Sequence, residues 1–293
     1  MANLPDLSQR LLAGIGFAWR RPEAASDSLG RLGRLEVRLA RSAEEVKRAQ
    51  KLRYRVFYEE MAAVADMRTL MSRRDRDGYD RFCDHLLVLD HDVNGADHRG
   101  PAIVGTYRLL RQAVAEQRGG FYSAGEFDVG GLIARHRDRF FLELGRSCVL
   151  KPYRTKRTVE LLWRGIWHYV SRHGIDVMVG CASLPGTDFD RLAPLLSFMR
   201  KSAPAPAAWR ATALPGRGRS LDRLAVAPIE PLQALRALPP LIKGYLRLGA
   251  FVGEEAVIDR QFGTTDVFLV LPLEAISSRY INHYASDGAH LAG

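Results

Sequence analysis

FFLELGRSCVL, residues 140–150, is the stretch on which the fold turns. Its apolar run predicts a buried strand, and set into that strand are an acid and an arginine, Glu143 and Arg146. A carboxylate and a guanidinium inside a sheet are costly unless they are paired or solvated at a site, so the strand calls for either a structural ion pair or an active centre. Strict alternation sends the two side chains to opposite faces. Gly145 lies between them, where a β-bulge is cheap, and a bulge there turns both toward one cleft.

Downstream, KPYRTKRT at 151–158 leads into a helix over 159–173 closed by Gly174. A strand that meets a helix through Arg154, Lys156, Arg157 and two threonines has the features of an anion site, because a helix N-terminus presents free N–H groups. The loop has no glycine, which argues against a nucleotide cradle. A buried strand follows at 177–183, and Asp188 is placed to cap the next helix. Residues 201–219, rich in Ala, Pro and Gly, read as a linker or excursion. An apolar helical region at 232–248, interrupted by Pro239 and Pro240, precedes strands at 250–259 and 266–272 and a closing helix at 274–284.

Upstream, residues 4–21 carry Leu4, Leu7, Leu11, Leu12, Ile15 and Trp19 at helical spacing beside Arg10, Arg20 and Arg21, a pattern suited to a membrane surface or to packing on the domain. Residues 22–34 read as linker. The expected division is thus 1–34, amphipathic segment and linker, and 35–293, one domain. A short strand at 35–39 precedes a helix at 42–61 opened by Ser42 and Glu45 and carrying Arg53, Val56 and Phe57. A charged loop at 68–80 with Asp75, Asp77 and Asp80 is suited to cover a site. Strands at 85–90 and 103–110 follow, the second with Gly105 and Arg108.

The 293 residues carry a net charge of +10, which points to an acidic partner. Nucleic acid is disfavoured, because the arginines are spread among acids and no groove-reading motif occurs. Cys83, Cys148 and Cys181 fit no metal or redox spacing and suggest reduced, buried thiols of a cytoplasmic protein. No metal is expected. The longest early apolar stretch, 11–19, is too short to span a bilayer and lacks a signal-peptide cleavage site.

The element order is similar to that of the Gcn5-related N-acetyltransferases, an α/β fold whose mixed central sheet, flanked by helices, splays between its fourth and fifth strands to admit an acyl thioester. Arg53 with Val56 and Phe57, then Asp77 and Asp80, Gly105 and Arg108, Glu143 and Arg146 resemble the motif series of acyl-homoserine-lactone synthases. Those enzymes have a tryptophan soon after the RxxVF phenylalanine, and residues 58–64 have none. Four longer stretches resemble the bacterial L-ornithine Nα-acyltransferases of ornithine lipid synthesis. They are FYSAGEFDVGGL (121–132), FLELGRSCVLKPYRTKRTVELLWRGIW (141–167), CASLPGTD (181–188) and LPPLIKGYLRLGAFVGEEAVIDRQFGTTDVF (238–268).

This resemblance implies transfer of a 3-hydroxyacyl chain from acyl carrier protein to the α-amine of L-ornithine, giving lyso-ornithine lipid. The alternatives within the fold are a lactone-type synthase or an acyltransferase for another amino acid. No cofactor is implied beyond the 4'-phosphopantetheine of the carrier. A thioester already has a good leaving group, so the enzyme must align a neutral amine and stabilise the oxyanion. Glu143 is then the candidate base, directly or through water. Arg146 orients Glu143 or holds the substrate carboxylate, and Arg108 is a second carboxylate clamp. Asp77 and Asp80 bind the ornithine side-chain ammonium or structure the covering loop, with Arg53 holding that loop. Arg154, Lys156 and Arg157 meet the phosphopantetheine phosphate or the acidic carrier. The expected location is the cytoplasm, with peripheral contact to the anionic inner-membrane surface as one reading of residues 4–21 and packing on the domain as the other. Cys148 and His85 are expected in the core, and Asp266 has no assigned role.

Overall fold

The computed structural model describes residues 28–96, 99–222 and 229–277. One mixed sheet holds nine strands: β1 (Ser28–Leu32), β2 (Leu35–Leu39), β3 (Asp84–Asn94), β4 (Pro101–Arg111), β5 (Phe141–Val149), β6 (Val177–Pro185), β7 (Gly218–Ser220), β8 (Phe251–Asp259) and β9 (Thr264–Pro272). Their spatial order is β1-β2-β3-β4-β5-β6-β9-β8-β7. Among the nine described strands only β5 and β6 pair in parallel, and the helix that joins them supplies the crossover such a pair requires.

Helices cover both faces. The first, α1 (Ala43–Tyr54), is capped by Ser42 and lays Ala49 and Leu52 on Leu87, Leu89 and Ile103. After α2 (Met67–Ser72), α3 (Gln112–Ala115) and α4 (Val129–Arg135) comes the crossover helix α5 (Lys156–His173), capped by Thr155 and ended by Gly174 in the left-handed region. It packs Leu161, Leu162 and Ile166 on the opposite face, against Val37, Leu86 and Val88. On the far half of the sheet, α6 (Phe189–Ser202), α7 (Pro231–Ala237) and α8 (Pro240–Leu248) cover β8 and β9 through Leu196, Met199, Leu238 and Ile242. No helix among the described residues is long and apolar enough to cross a membrane.

The sheet opens where the sequence places its charged strand. The β5–β6 ladder comprises Phe141, Leu142 and Glu143 against Val177, Met178 and Val179, after which β5 continues with β4 and β6 with β9. Gly180 sits at the fork, and a Cβ there would lie 2.4 Å from the Leu144 carbonyl oxygen. Gly180→Ala must therefore push the strands apart at their last point of contact. The expected cost is about 2–4 kcal/mol, read as a fall in Tm of about 5 °C or more. An unchanged melt would mean that the fork yields freely.

Several expectations are corrected. Residues 28–32, assigned to linker, form β1 on the sheet edge. The helix expected over 42–61 is α-helical to Tyr54 and then a wider π turn, Arg55–Glu60. The charged loop expected at 68–80 starts inside the short helix α2, which Asp66 caps. The excursion at 201–219 contains a 3-10 turn, Ala207–Trp209, and the start of β7. The expected closing helix at 274–284 starts instead within a 3-10 turn, Leu273–Ala275, while 278–284 and the amphipathic segment 4–21 lie outside the described residues. The bulge in β5 falls one residue later than expected. Gly145 stays in register opposite Arg108, and Arg146 takes φ of +48°, with three steps on β5 spanning two on β4. A non-glycine residue in this region costs on the order of 1–3 kcal/mol, so contacts must hold Arg146 there.

Candidate active site

Glu143 is the last residue of β5 before the fork, and it is 4% exposed. A 3-10 turn at Tyr122–Gly125 places its free N–H groups directly over the carboxylate. Oε2 accepts from Tyr122 N at 2.8 Å and Oε1 from Ser123 N at 2.7 Å. Burial raises the Glu143 pKa, and the hydrogen bonds from Ser123 and Tyr122 only partly offset it, leaving the group above its ordinary value. A carboxylate accepts about four hydrogen bonds, so a further proton donor can still be accommodated.

Around this residue the charged loop and the strands build a network of Arg53, Arg108 and Arg146 with Asp75, Asp77 and Asp80. Arg53, fully buried on α1, forks onto both oxygens of Asp80 at 2.8 and 2.7 Å, and its Nε lies 2.8 Å from Asp75. Arg108 donates to both oxygens of Asp77 at 2.7 Å and reaches Asp80 at 3.3 Å. Arg146 donates to Asp77 at 3.2 Å and lies 3.5 Å from Asp75. Such a network compensates charges that the interior would otherwise reject. Burial would raise the Asp80 pKa, but the Arg53 and Arg108 guanidiniums hold it well below the carboxylate range.

The expected contact between Arg146 and Glu143 is indirect. Tyr122 joins them: its N–H binds Glu143, its hydroxyl accepts from Arg146 at 3.2 Å, and its ring lies 4.7 Å from the guanidinium. Phe262, at the tip between β8 and β9, covers the other side of Arg146 at 4.4 Å. These two rings and two aspartates are what hold the strained backbone of Arg146.

Exposure separates framework from opening. The side chains of Arg53, Arg108, Asp75 and Asp80 are 1–6% exposed, whereas Asp77 is 23% and Arg146 13% exposed. Arg53, Arg108 and Asp80 therefore brace the site, and Asp77 with Arg146 is the pair exposed enough to exchange partners with a bound ligand.

Beyond β5, Arg154 donates to Glu60 of the π turn and to the Val149 carbonyl at 2.9 Å, so it ties the loop to the strand end. Lys156 pairs with Glu160 at 3.4 Å on the exposed first turn of α5, and Arg157 is also exposed. Cys148 and His85 are core residues: burial pushes the Cys148 thiol up, and His85 Nε2 lies 2.9 Å from the Asp80 carbonyl.

A second group is assembled from distant parts of the chain. Glu126, Cys181 and Asp266 each bring an oxygen or sulfur atom within 4.8 Å of the others, a grouping able to hold a cation. Burial, then the charge of Glu126, push Asp266 up to about 7. Glu126, Tyr122 and Phe262 were not among the candidates. The recognisable stretches 121–132 and 238–268 contain them, but nothing in their local pattern marks them as neighbours.

An acetyltransferase (GNAT) domain family matches residues 52–164. The chain is 53% identical over 268 residues to a protein of Rhizobium meliloti (strain 1021) named L-ornithine N(alpha)-acyltransferase, a match that covers 92% of this chain and 90% of that one. A protein of the same name from Agrobacterium fabrum (strain C58) is 50% identical over 276 residues, covering 93% of this chain and 94% of the relative. Among solved structures, the CoA-dependent acyl-homoserine lactone synthase BjaI is similar with a TM-score of 0.43 and 14% identity, covering 84% of this chain and 83% of that one.

Proposed function

The chain belongs to the L-ornithine Nα-acyltransferase family, and from that premise we propose that it moves a 3-hydroxyacyl chain from acyl carrier protein to the α-amine of L-ornithine, releasing lyso-ornithine lipid. The observation that carries the chemistry is the position of Glu143 at the fork of β5 and β6. A thioester lying in the fork exposes its carbonyl to an amine arriving beside Glu143. Burial raises the Glu143 pKa, against the hydrogen bonds from Ser123 and Tyr122, which makes it a stronger base than a free carboxylate. Glu143 takes the proton from the substrate ammonium, directly or through one water. The neutral amine adds to the carbonyl, and collapse of the tetrahedral intermediate expels the carrier thiolate, which takes up a proton.

Arg146 and Asp77 supply the zwitterion with a carboxylate partner and an ammonium partner at the mouth of the site. The fixed fork of Arg146 suits a carboxylate, and Asp77, already shared between two arginines, can be lent without leaving a buried charge unpaired. Incubating the protein with 3-hydroxyacyl carrier protein and a panel of amino acids, read by mass spectrometry, tests the assignment. Acyl-ornithine as the main product supports it; transfer only to another amine, or from no carrier thioester, refutes it.

The positive charge of the protein and the exposed Lys156 and Arg157 on the first turn of α5 support docking of an acidic carrier at that end of the fork. Lys156→Ala with Arg157→Ala is expected to raise KM for the carrier up to about 10-fold at low salt, with kcat little changed. Identical KM values for the variant and the wild type across a salt series would remove this face as the docking site. Arg154 is a poorer probe, because its loss also frees Glu60.

A further inference from the structure

The Glu126, Cys181 and Asp266 group lies on the working face of the sheet. Asp266 stands opposite Ser183 in the β6–β9 ladder, Cys181 is two residues back along β6, and Val179, two further back, stands opposite Glu143. Residues two apart on a strand share a face, so the group and Glu143 look out on the same side, beyond the fork. The charge of Glu143 is felt at the Cys181 thiol.

Left as it is, the group is unfavourable. Two carboxylates crowd one site that water reaches poorly. Asp266 is 6% exposed; burial raises its pKa and the nearby Thr264 and Ser183 side chains lower it slightly, but its buried Oδ1 receives no well-formed hydrogen bond. Glu126 has a weak contact from Cys181 Sγ at 3.7 Å and the half-exposed Arg217 at 3.9 Å. A buried oxygen with no donor is uncommon in folded proteins and marks a place where a ligand can supply one.

We propose that Glu126 and Asp266 bind the side-chain ammonium of a diamino acid, so that the far nitrogen is held while the α-amine lies at Glu143. The assignment rests on the proposed reaction and specifies how its acceptor is chosen. Spacing agrees with it. Along β6 the group lies between the level of Cys181, about 7 Å from Val179, and that of Ser183 opposite Asp266, about 13 Å from it. An extended five-carbon diamino acid, with nitrogens five bonds and about 6 Å apart and a hydrogen bond of about 3 Å at each end, spans about 12 Å between its partners. Asp80 is less suited to this role, since arginines already occupy its oxygens, and Asp77 lies at the mouth beside Arg146, where it meets the α-ammonium before Glu143 takes its proton. A metal ion is also less suited than an ammonium. It would need Cys181 as a thiolate, and burial, with the charges of Asp266 and Glu126, pushes that thiol well above its ordinary value.

The test uses the full chain, 3-hydroxyacyl carrier protein and two acceptors, L-ornithine and L-norvaline, which has the same carbon chain without the terminal nitrogen. In the wild type, kcat/KM for ornithine is expected to exceed that for norvaline by on the order of 100-fold or more. Asp266→Asn and Glu126→Gln are each expected to reduce this ratio by on the order of 10- to 100-fold, chiefly through KM for ornithine. An unchanged ratio in both variants overturns the subsite. So does a stoichiometric metal in the purified protein whose chelation abolishes the preference for ornithine.

Both substitutions remove one of two repelling charges and should leave Tm unchanged or raised. Should either fail to fold, the other variant decides, together with the wild-type melt, which ornithine should raise more than norvaline at equal concentration. An equal shift from both amino acids counts against the subsite. A wild type that acylates norvaline as readily as ornithine overturns the subsite while acyl transfer stands. One that acylates no amino acid overturns the reaction and the subsite together.

Discussion

Arg53→Ala is expected to destabilise the protein by about 3–5 kcal/mol, with a fall in Tm of about 10 °C or more. The guanidinium is fully buried and meets Asp80 through both oxygens and Asp75 through Nε. Its removal leaves two carboxylates, 4% and 6% exposed, with only longer contacts to a counter-charge, Asp80 to Arg108 at 3.3 Å and Asp75 to Arg146 at 3.5 Å. Arg53→Lys should recover little, because a single ammonium cannot reproduce the fork. The pH dependence has a definite sign. Burial acts to raise the Asp80 carboxyl, but Arg53 and Arg108 hold it well below its unfolded value. Its stabilising contribution is therefore fully present above the unfolded carboxylate pKa and is lost progressively as pH falls from there through the much lower folded-state value. In denaturant melts from neutral pH to about pH 3, the gap between wild type and variant should begin to narrow only below about pH 4. A Tm for Arg53→Ala within about 2 °C of wild type at neutral pH would show that the network is incidental to the fold.

Glu143→Gln is expected to reduce kcat by on the order of 10²- to 10⁴-fold while the protein still binds the acyl carrier. The amide cannot take a proton, and it offers a single acceptor oxygen to two N–H donors, Tyr122 and Ser123. Circular dichroism and a carrier-binding assay separate chemistry from loss of the turn. Glu143 must be ionised to act as a base, and burial, despite the bonds from Ser123 and Tyr122, places its pKa above the ordinary value of 4.5. Wild-type kcat/KM should thus fall as pH drops through a point above that value, and the variant's residual rate should lack this limb. Turnover retained within a few-fold in a folded Glu143→Gln protein would remove Glu143 as the base.

How much of this was legible in the sequence depended on how local each feature is. β5, α5 and the two strands around residues 260–263 were readable from their largely apolar or periodic runs, with Gly174 closing α5 and QFGTT between the last strands. Even so, α5 begins at Lys156, three residues before its expected start, behind a Thr155 cap that the expectation lacked. Asp188 and Ser42 were readable as caps because a cap is a contact over three residues. β1 was not, since SLGRL is short, holds a glycine mid-strand and gains its partner only from β2. The π turn at residues 55–60 carries no period that separates it from the α-helix before it.

The bulge was placed at Gly145 because glycine is the cheaper residue there. Arg146 bears it because Asp75, Asp77, Tyr122 and Phe262 converge on its side chain from three other segments. The same distance in sequence hid the Glu126, Cys181 and Asp266 group, which exists only once β6 and β9 are paired. Arg53, Asp77, Asp80, Arg108, Glu143 and Arg146 were all named from their motifs, and the fold brings their side chains together. What the motifs could not convey is that most of them brace one another, leaving Asp77 and Arg146 to face the opening.

The central claim is that an acyl chain reaches the nitrogen beside Glu143 while the other nitrogen is held by Glu126 and Asp266. The most direct measurement is a turnover with 3-hydroxyacyl carrier protein and ornithine labelled with ¹⁵N at the α position, followed by fragmentation of the product. The account predicts that the acyl chain is carried on the labelled nitrogen. An acyl chain on the unlabelled side-chain nitrogen would reverse the two ends of the substrate and contradict it.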